Sequence, residues 1–118
     1  VHHGDIPALA WRIEIDGQSI VITGSFNNSK NLAATFAKDA DALVVSHAIP
    51  ENSRGVLRDL YARPSQLGRV ANQANARMMI LGHRNVRTRG RESLSRNAIE
   101  ENYDGTILFA NDGECWGL

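Results

Sequence analysis

Two stretches, Asp41-Ala42-Leu43-Val44-Val45-Ser46-His47 and Met78-Met79-Ile80-Leu81-Gly82-His83, decide the fold of this chain. Each holds a short, continuous apolar run, the form taken by a strand covered on both faces, as in an α/β sheet. Working outward, the segment between them reads as a loop over Pro50 to Ser53, then a helical stripe over Arg54 to Ala62 carrying Val56, Leu57, Leu60 and Tyr61. Pro64-Ser65 restarts the pattern with Leu67, Val70, Ala71 and Ala74, so two helices or one broken helix lie here. Upstream, Leu9, Trp11, Ile13 and Ile15 alternate along Ala8 to Ile15, Asp16-Gly17 supplies turn residues, and Ser19 to Thr23 is rich in β-branched residues, which together predict a hairpin. Asn27-Asn28-Ser29 offers caps for a helix from Lys30 to Lys38 that stops at Asp39. Downstream, an arginine-rich loop leads to a helix over Glu92 to Tyr103, a turn at Asp104-Gly105, a strand over Thr106 to Ala110 and a short strand near Trp116.

The succession β-β-α-β-α-α-β-α-β runs through residues 1–118 without linker or repeat, which predicts one α/β domain. Thirteen Lys and Arg balance thirteen Asp and Glu, so the charge does not point to nucleic acid or to an anionic membrane. Cys115 is the single cysteine, which excludes an intrachain disulfide and a cysteine-built zinc cluster and makes the cytoplasm the default expectation. No apolar run approaches a membrane span, and the first residues lack the pattern of a signal peptide.

His3, Gly24-Ser25, His47 and His83 stand at ends of predicted strands, where open α/β sheets place their ligand sites. Imidazoles ligate zinc, iron or manganese when three or four donors converge. For His47 a structural hydrogen bond and a metal contact are both open readings. Arg84, Arg87, Arg89 and Arg91 could hold a phosphate or carboxylate, or form a solvated loop neutralised by Glu92, Glu100 and Glu101. Asp112 could orient a ligand histidine or cap the turn at Gly113. Trp11, Trp116, Tyr61 and Tyr103 suit core or interface packing, and Cys115 reads as a small packed residue, not a nucleophile.

Taken in order, these segments resemble a family. Val1-His2-His3-Gly4-Asp5 with Ser19 to Phe26, the strand Asp39-Ala40-Asp41-Ala42-Leu43-Val44-Val45, the helix Leu67 to Ala76, Met79-Ile80-Leu81-Gly82-His83-Arg84, and Tyr103-Asp104-Gly105 with Phe109-Ala110-Asn111-Asp112-Gly113 are similar to the second half of metallo-β-lactamase-fold hydrolases of the ribonuclease Z and arylsulfatase-like branch. The resemblance implies the C-terminal half of an αββα sandwich: a mixed sheet with helices on one face. It also implies a metal site, usually of two zinc ions, that activates water against an ester, lactone, thioester, lactam or phosphodiester. Carried over, His3 and His83 are metal ligands, with His2 the second choice to His3. Ser25 and His47 fall near the site on the same resemblance; Asp112, by its place after the last strand, is a further candidate beside it, and Arg84 and Arg87, by their guanidinium chemistry, are the candidate substrate-binding residues.

Two departures matter. Ser25 stands where the family has a bridging aspartate, and a neutral hydroxyl cannot supply the charge that holds two dications together, which weighs against the usual dinuclear centre. The H-x-H-x-D-H motif of the family's first half is absent. The start at Val1, without Met, favours a piece of a longer protein. The expectation is therefore a hydrolase half completed by an N-terminal half or partner chain, or else a degenerate module that oligomerises or binds a partner. Apolar residues facing outward from the hairpin would need a second sheet, from the missing half or from a second copy, to cover them.

Overall fold

Five strands pair in chain order in the computed structural model, which describes all 118 residues: β3 (Trp11–Ile15), β4 (Gln18–Ile22), β5 (Ala42–Ser46), β6 (Met78–Gly82) and β7 (Thr106–Phe109). β3 and β4 are antiparallel and the other pairs are parallel, giving the mixed sheet that the sequence predicts. The hairpin turn at Asp16 and Gly17 has positive φ at both residues (50° and 77°), the left-handed geometry that matches strand twist in a two-residue loop. Four helices, α1 (Leu32–Phe36), α2 (Val56–Leu60), α3 (Pro64–Gln73) and α4 (Glu92–Glu100), fill the connections. A small ladder, β1 (His2–His3) with β2 (Ile6–Pro7), precedes the sheet; the sequence reading has no strand there.

The register divides the sheet into two unlike faces. Val21, Leu43, Val45, Met79, Leu81 and Ile107 point one way and join Ala33, Ala37, Leu67, Val70, Ala71 and Ile99 in a core of 19 buried residues. On the opposite face lie Trp11, Ile13, Ile15, Ile20, Ile22, Val44, Ile80 and Leu108, and no helix covers it. Trp11 is 64% exposed, Ile15 62%, Ile13 41% and Ile22 38%. The central runs are therefore covered on one face by helices, while on the other face the exposed apolar residues belong to the hairpin strands β3 and β4 and Ile80 of β6 is buried.

Several boundaries differ from the sequence reading. α1 begins at Leu32 after a left-handed Asn31, and Asn27-Asn28-Ser29 does not cap it; the Asn27 carboxamide instead accepts the Ser29 N–H within a turn. α2 is one short helix with no fully buried residue, and its Val56 is 72% exposed. α3 opens with Pro64 at its first turn and packs on α4 through Gly68, where an added Cβ would lie 2.6 Å from the Ile99 carbonyl oxygen. No strand forms near Trp116, and Cys115 is exposed rather than packed.

Candidate functional site

The N-terminal ladder is held against the end of α2, and that docking places the first candidate ligand. His3 Nδ1 donates to the Leu60 carbonyl oxygen at 2.5 Å, and the carbonyl can only accept, so the proton sits on Nδ1 and neutral His3 presents an unprotonated Nε2. The His2 carbonyl receives the Asn27 N–H at 2.7 Å, and the Ala62 N–H donates to the Phe26 carbonyl at 2.7 Å, tying the ladder, the turn after β4 and the end of α2 together. Gly4 makes this approach feasible: its φ is +59°, and a Cβ there would stand 3.0 Å from Leu60 Cδ2.

The second candidate meets the same platform from the sheet. His83 follows β6 with φ 54°, a left-handed conformation uncommon outside glycine and more tolerated by His, Asn and Asp than by most residues. Tyr61, just past α2, makes an edge-on contact with His3, with ring centroids 5.0 Å apart, and a tilted one with His83 at 6.4 Å. One phenol ring therefore lies beside both imidazoles. Tyr61 reads from the sequence as a packing residue of the α2 stripe; nothing local in the sequence marks the shared contact.

Beyond His83 a cavity of about 500 Å³ is lined by His83, Arg84, Arg89, Ala110, Asn111 and Asp112. Arg84 is a strut across it. Its guanidinium pairs with Glu92 at 2.8 Å and donates to the Ala110 carbonyl at 2.6 Å and to the Asn111 side-chain oxygen. Asn111 in turn donates from its side chain and its backbone to the Glu114 carboxylate, at 2.7 and 3.0 Å. Glu92 is held below the usual carboxylate range, first by its own backbone N–H and then, against some desolvation, by Arg84. Glu114 is lowered first by the Asn111 side chain and then by its N–H. Sequence reasoning missed Asn111 because its partner Arg84 comes from another strand end, and Glu114 although its partner Asn111 lies three residues before it.

Other predicted residues go elsewhere. His47 is fully buried, with Nε2 2.7 Å from Ser95 Oγ and its ring 5.5 Å from Phe109, centroid to centroid. Burial drives its pKa down to about 4, against Glu92, which raises it, while Arg84 lowers it. The hydrogen bond of the first reading is thus present, to Ser95, while Nδ1 is buried without a partner. His2 lines a separate crevice with Phe26 and Lys30. Ser25, half-buried after a left-handed Gly24, makes no side-chain hydrogen bond. Arg87 is exposed and is not among the residues lining the cavity. Asp112 shares the cavity with His83 without hydrogen bonding to it.

The chain's own donors do not by themselves make up a metal site. His3 offers a free Nε2 and His83 stands across Tyr61, but no three His, Cys, Asp or Glu side chains are grouped so as to hold an ion, and a metal centre needs three or four donors. No helix is long and apolar enough to cross a membrane.

No protein-family model matches the chain, and no curated protein matches it. Among solved structures the chain is similar to the metallo-beta-lactamase fold protein YhfI from Bacillus subtilis, with a TM-score of 0.78 and 19% identity across 98% of this chain and 46% of that one. The fold is thus metallo-β-lactamase-like, and the chain spans less than half the length of this neighbour.

Proposed function

We propose, from this fold and the shared docking of His3 and His83 on Tyr61, that the chain is the C-terminal half of a metal-dependent hydrolase of the ribonuclease Z and arylsulfatase-like branch. The observation that carries the reading is the convergence on one ring of two imidazoles from segments far apart in the chain, one of them with its tautomer set for ligation. His3 and His83 contribute two donors, and an N-terminal half or a partner chain packed on the open sheet face contributes the rest. Zinc bound there would activate water at neutral pH and favour the charge that develops on an ester, lactone or phosphodiester. This chain's residues hold the imidazoles in place through Leu60 and Tyr61, and frame the space beside them with Arg84 and Asp112.

A second reading has one observation in its favour: Ser25 brings no charge to the turn after β4, as in a degenerate module that oligomerises or binds a partner without catalysis. Native mass spectrometry with elemental analysis of one sample separates the two. The hydrolase reading expects an assembly with a second polypeptide and about one or two metal ions, lost in His83→Ala. A metal-free homo-oligomer, unchanged by His83→Ala, would establish the second.

A further inference from the structure

We propose that the cavity beside His83 binds a monoanionic oxyanion group, a phosphodiester or a carboxylate, anchored by the guanidinium of Arg89. The lining favours a polar group: Ala110 is the only hydrophobic residue among six. Of the two arginines in the wall, Arg84 has its fork occupied by Glu92, the Ala110 carbonyl and Asn111. Arg89 forms no ion pair and no side-chain hydrogen bond, so its five N–H donors remain to be satisfied by a ligand or by water.

The loop that carries Arg89 is pinned. Thr88, next to it, is fully buried and donates its hydroxyl to the His47 carbonyl at 2.9 Å. The Asn85 side chain donates to the Ala48 carbonyl at 3.0 Å, and the N–H groups of Arg89 and Arg91 close the turn onto Asn85 and Thr88 at 2.9 and 3.0 Å. A buried threonine in an exposed arginine-rich loop fixes the base of Arg89, so that a ligand orders a side chain but little backbone. Asp112, on the cavity wall, also has no ion partner. Its charge opposes a dianion more than a monoanion, whereas the Arg89 fork matches two oxygens of either phosphodiester or carboxylate.

The role of this cavity as a substrate subsite rests on the hydrolase reading; anion binding itself requires no metal. The test is an amide NMR titration of the chain in EDTA, at constant ionic strength, with dimethyl phosphate, acetate and inorganic phosphate in separate arms. Saturable shifts at Gly82 to Arg91 and Ala110 to Asp112 are expected with dimethyl phosphate or acetate, and the tighter of the two identifies the group. Arg89→Ala should weaken binding about tenfold, as loss of a charge-assisted fork does, and Arg89→Lys should lose less. Arg69→Ala, an exposed arginine on α3, should stay within about twofold, as a distant screened charge does. The absence of saturable shifts, an unchanged affinity in Arg89→Ala, an equal loss in Arg69→Ala, or a preference for dianionic phosphate would each overturn the proposal. Metal content of the assembled protein is read independently, so that failure of the hydrolase reading and failure of this one give different results.

Discussion

His3 Nδ1 lies 2.5 Å from the carbonyl oxygen of Leu60, and this single contact sets the proton on one nitrogen and frees the other. Leu60 ends α2 and Tyr61 follows it, so the same segment that sets the tautomer also supplies the ring shared with His83. On the hydrolase reading proposed above, His3→Ala and His83→Ala should each lower the zinc affinity of the assembled protein by about 100-fold or more, on the order of one lost ligand, and His2→Ala should leave it nearly unchanged. Competition with a chelating dye measures this; equal losses at His2 and His3 would refute the assignment.

His47 makes stability depend on pH. Its native pKa is near 4 against 6.5 for an ordinary histidine, so the unfolded chain takes up a proton first on acidification. The contribution is complete above pH 6.5 and is lost as pH falls from 6.5 to 4, about 3 kcal/mol in all. Glu92 and Glu114, both lowered, act in the same direction below the ordinary carboxylate range. Urea unfolding at pH 7 and pH 4.5 should show a smaller difference for His47→Gln than for the parent chain. An undiminished difference would place the acid sensitivity elsewhere.

Gly68 sits where α3 meets α4. Helix propensity alone would favour alanine there by about 1 kcal/mol. The Ile99 carbonyl, 2.6 Å from the added Cβ, reverses the sign, because backbone must move to admit it. Gly68→Ala should therefore destabilise by roughly 1 to 3 kcal/mol in urea unfolding. A gain in stability would show that the two helices separate at little cost.

The open sheet face should govern association. Trp11, Ile13 and Ile15 form an exposed apolar row on the edge strand β3. Ile13→Lys with Ile15→Lys should shift sedimentation toward the monomer and reduce binding of a hydrophobic dye, while Tm changes by only a few degrees because neither side chain belongs to the buried core. An unchanged oligomeric state would remove this face from the assembly.

Much of the fold was legible. The five sheet strands, the hairpin at Asp16-Gly17 and the helix opening at Pro64 all follow from apolar period and turn chemistry, which are local. The alternation along the hairpin also marks Trp11, Ile13 and Ile15 as one face, and the structure leaves that face exposed. The ladder at His2–His3 was missed because two-residue strands carry no periodic signal, and the capping assigned to Asn27-Asn28-Ser29 failed because those side chains serve a turn instead. Arg84 and Arg89 look alike in sequence; only the approach of Glu92, Ala110 and Asn111 distinguishes the committed one from the free one.

By itself the sequence determined the order of strands and helices and marked the strand-end histidines, since hydrophobic period and β-branching act within a few residues. The tertiary structure decided which of those histidines share a neighbour. It placed His3 and His83 on Tyr61 and sent His47 into the core beside Ser95. The reason is that such contacts join segments far apart in the chain, whose approach is set by sheet pairing and helix packing as a whole, not by the residues on either side of each histidine.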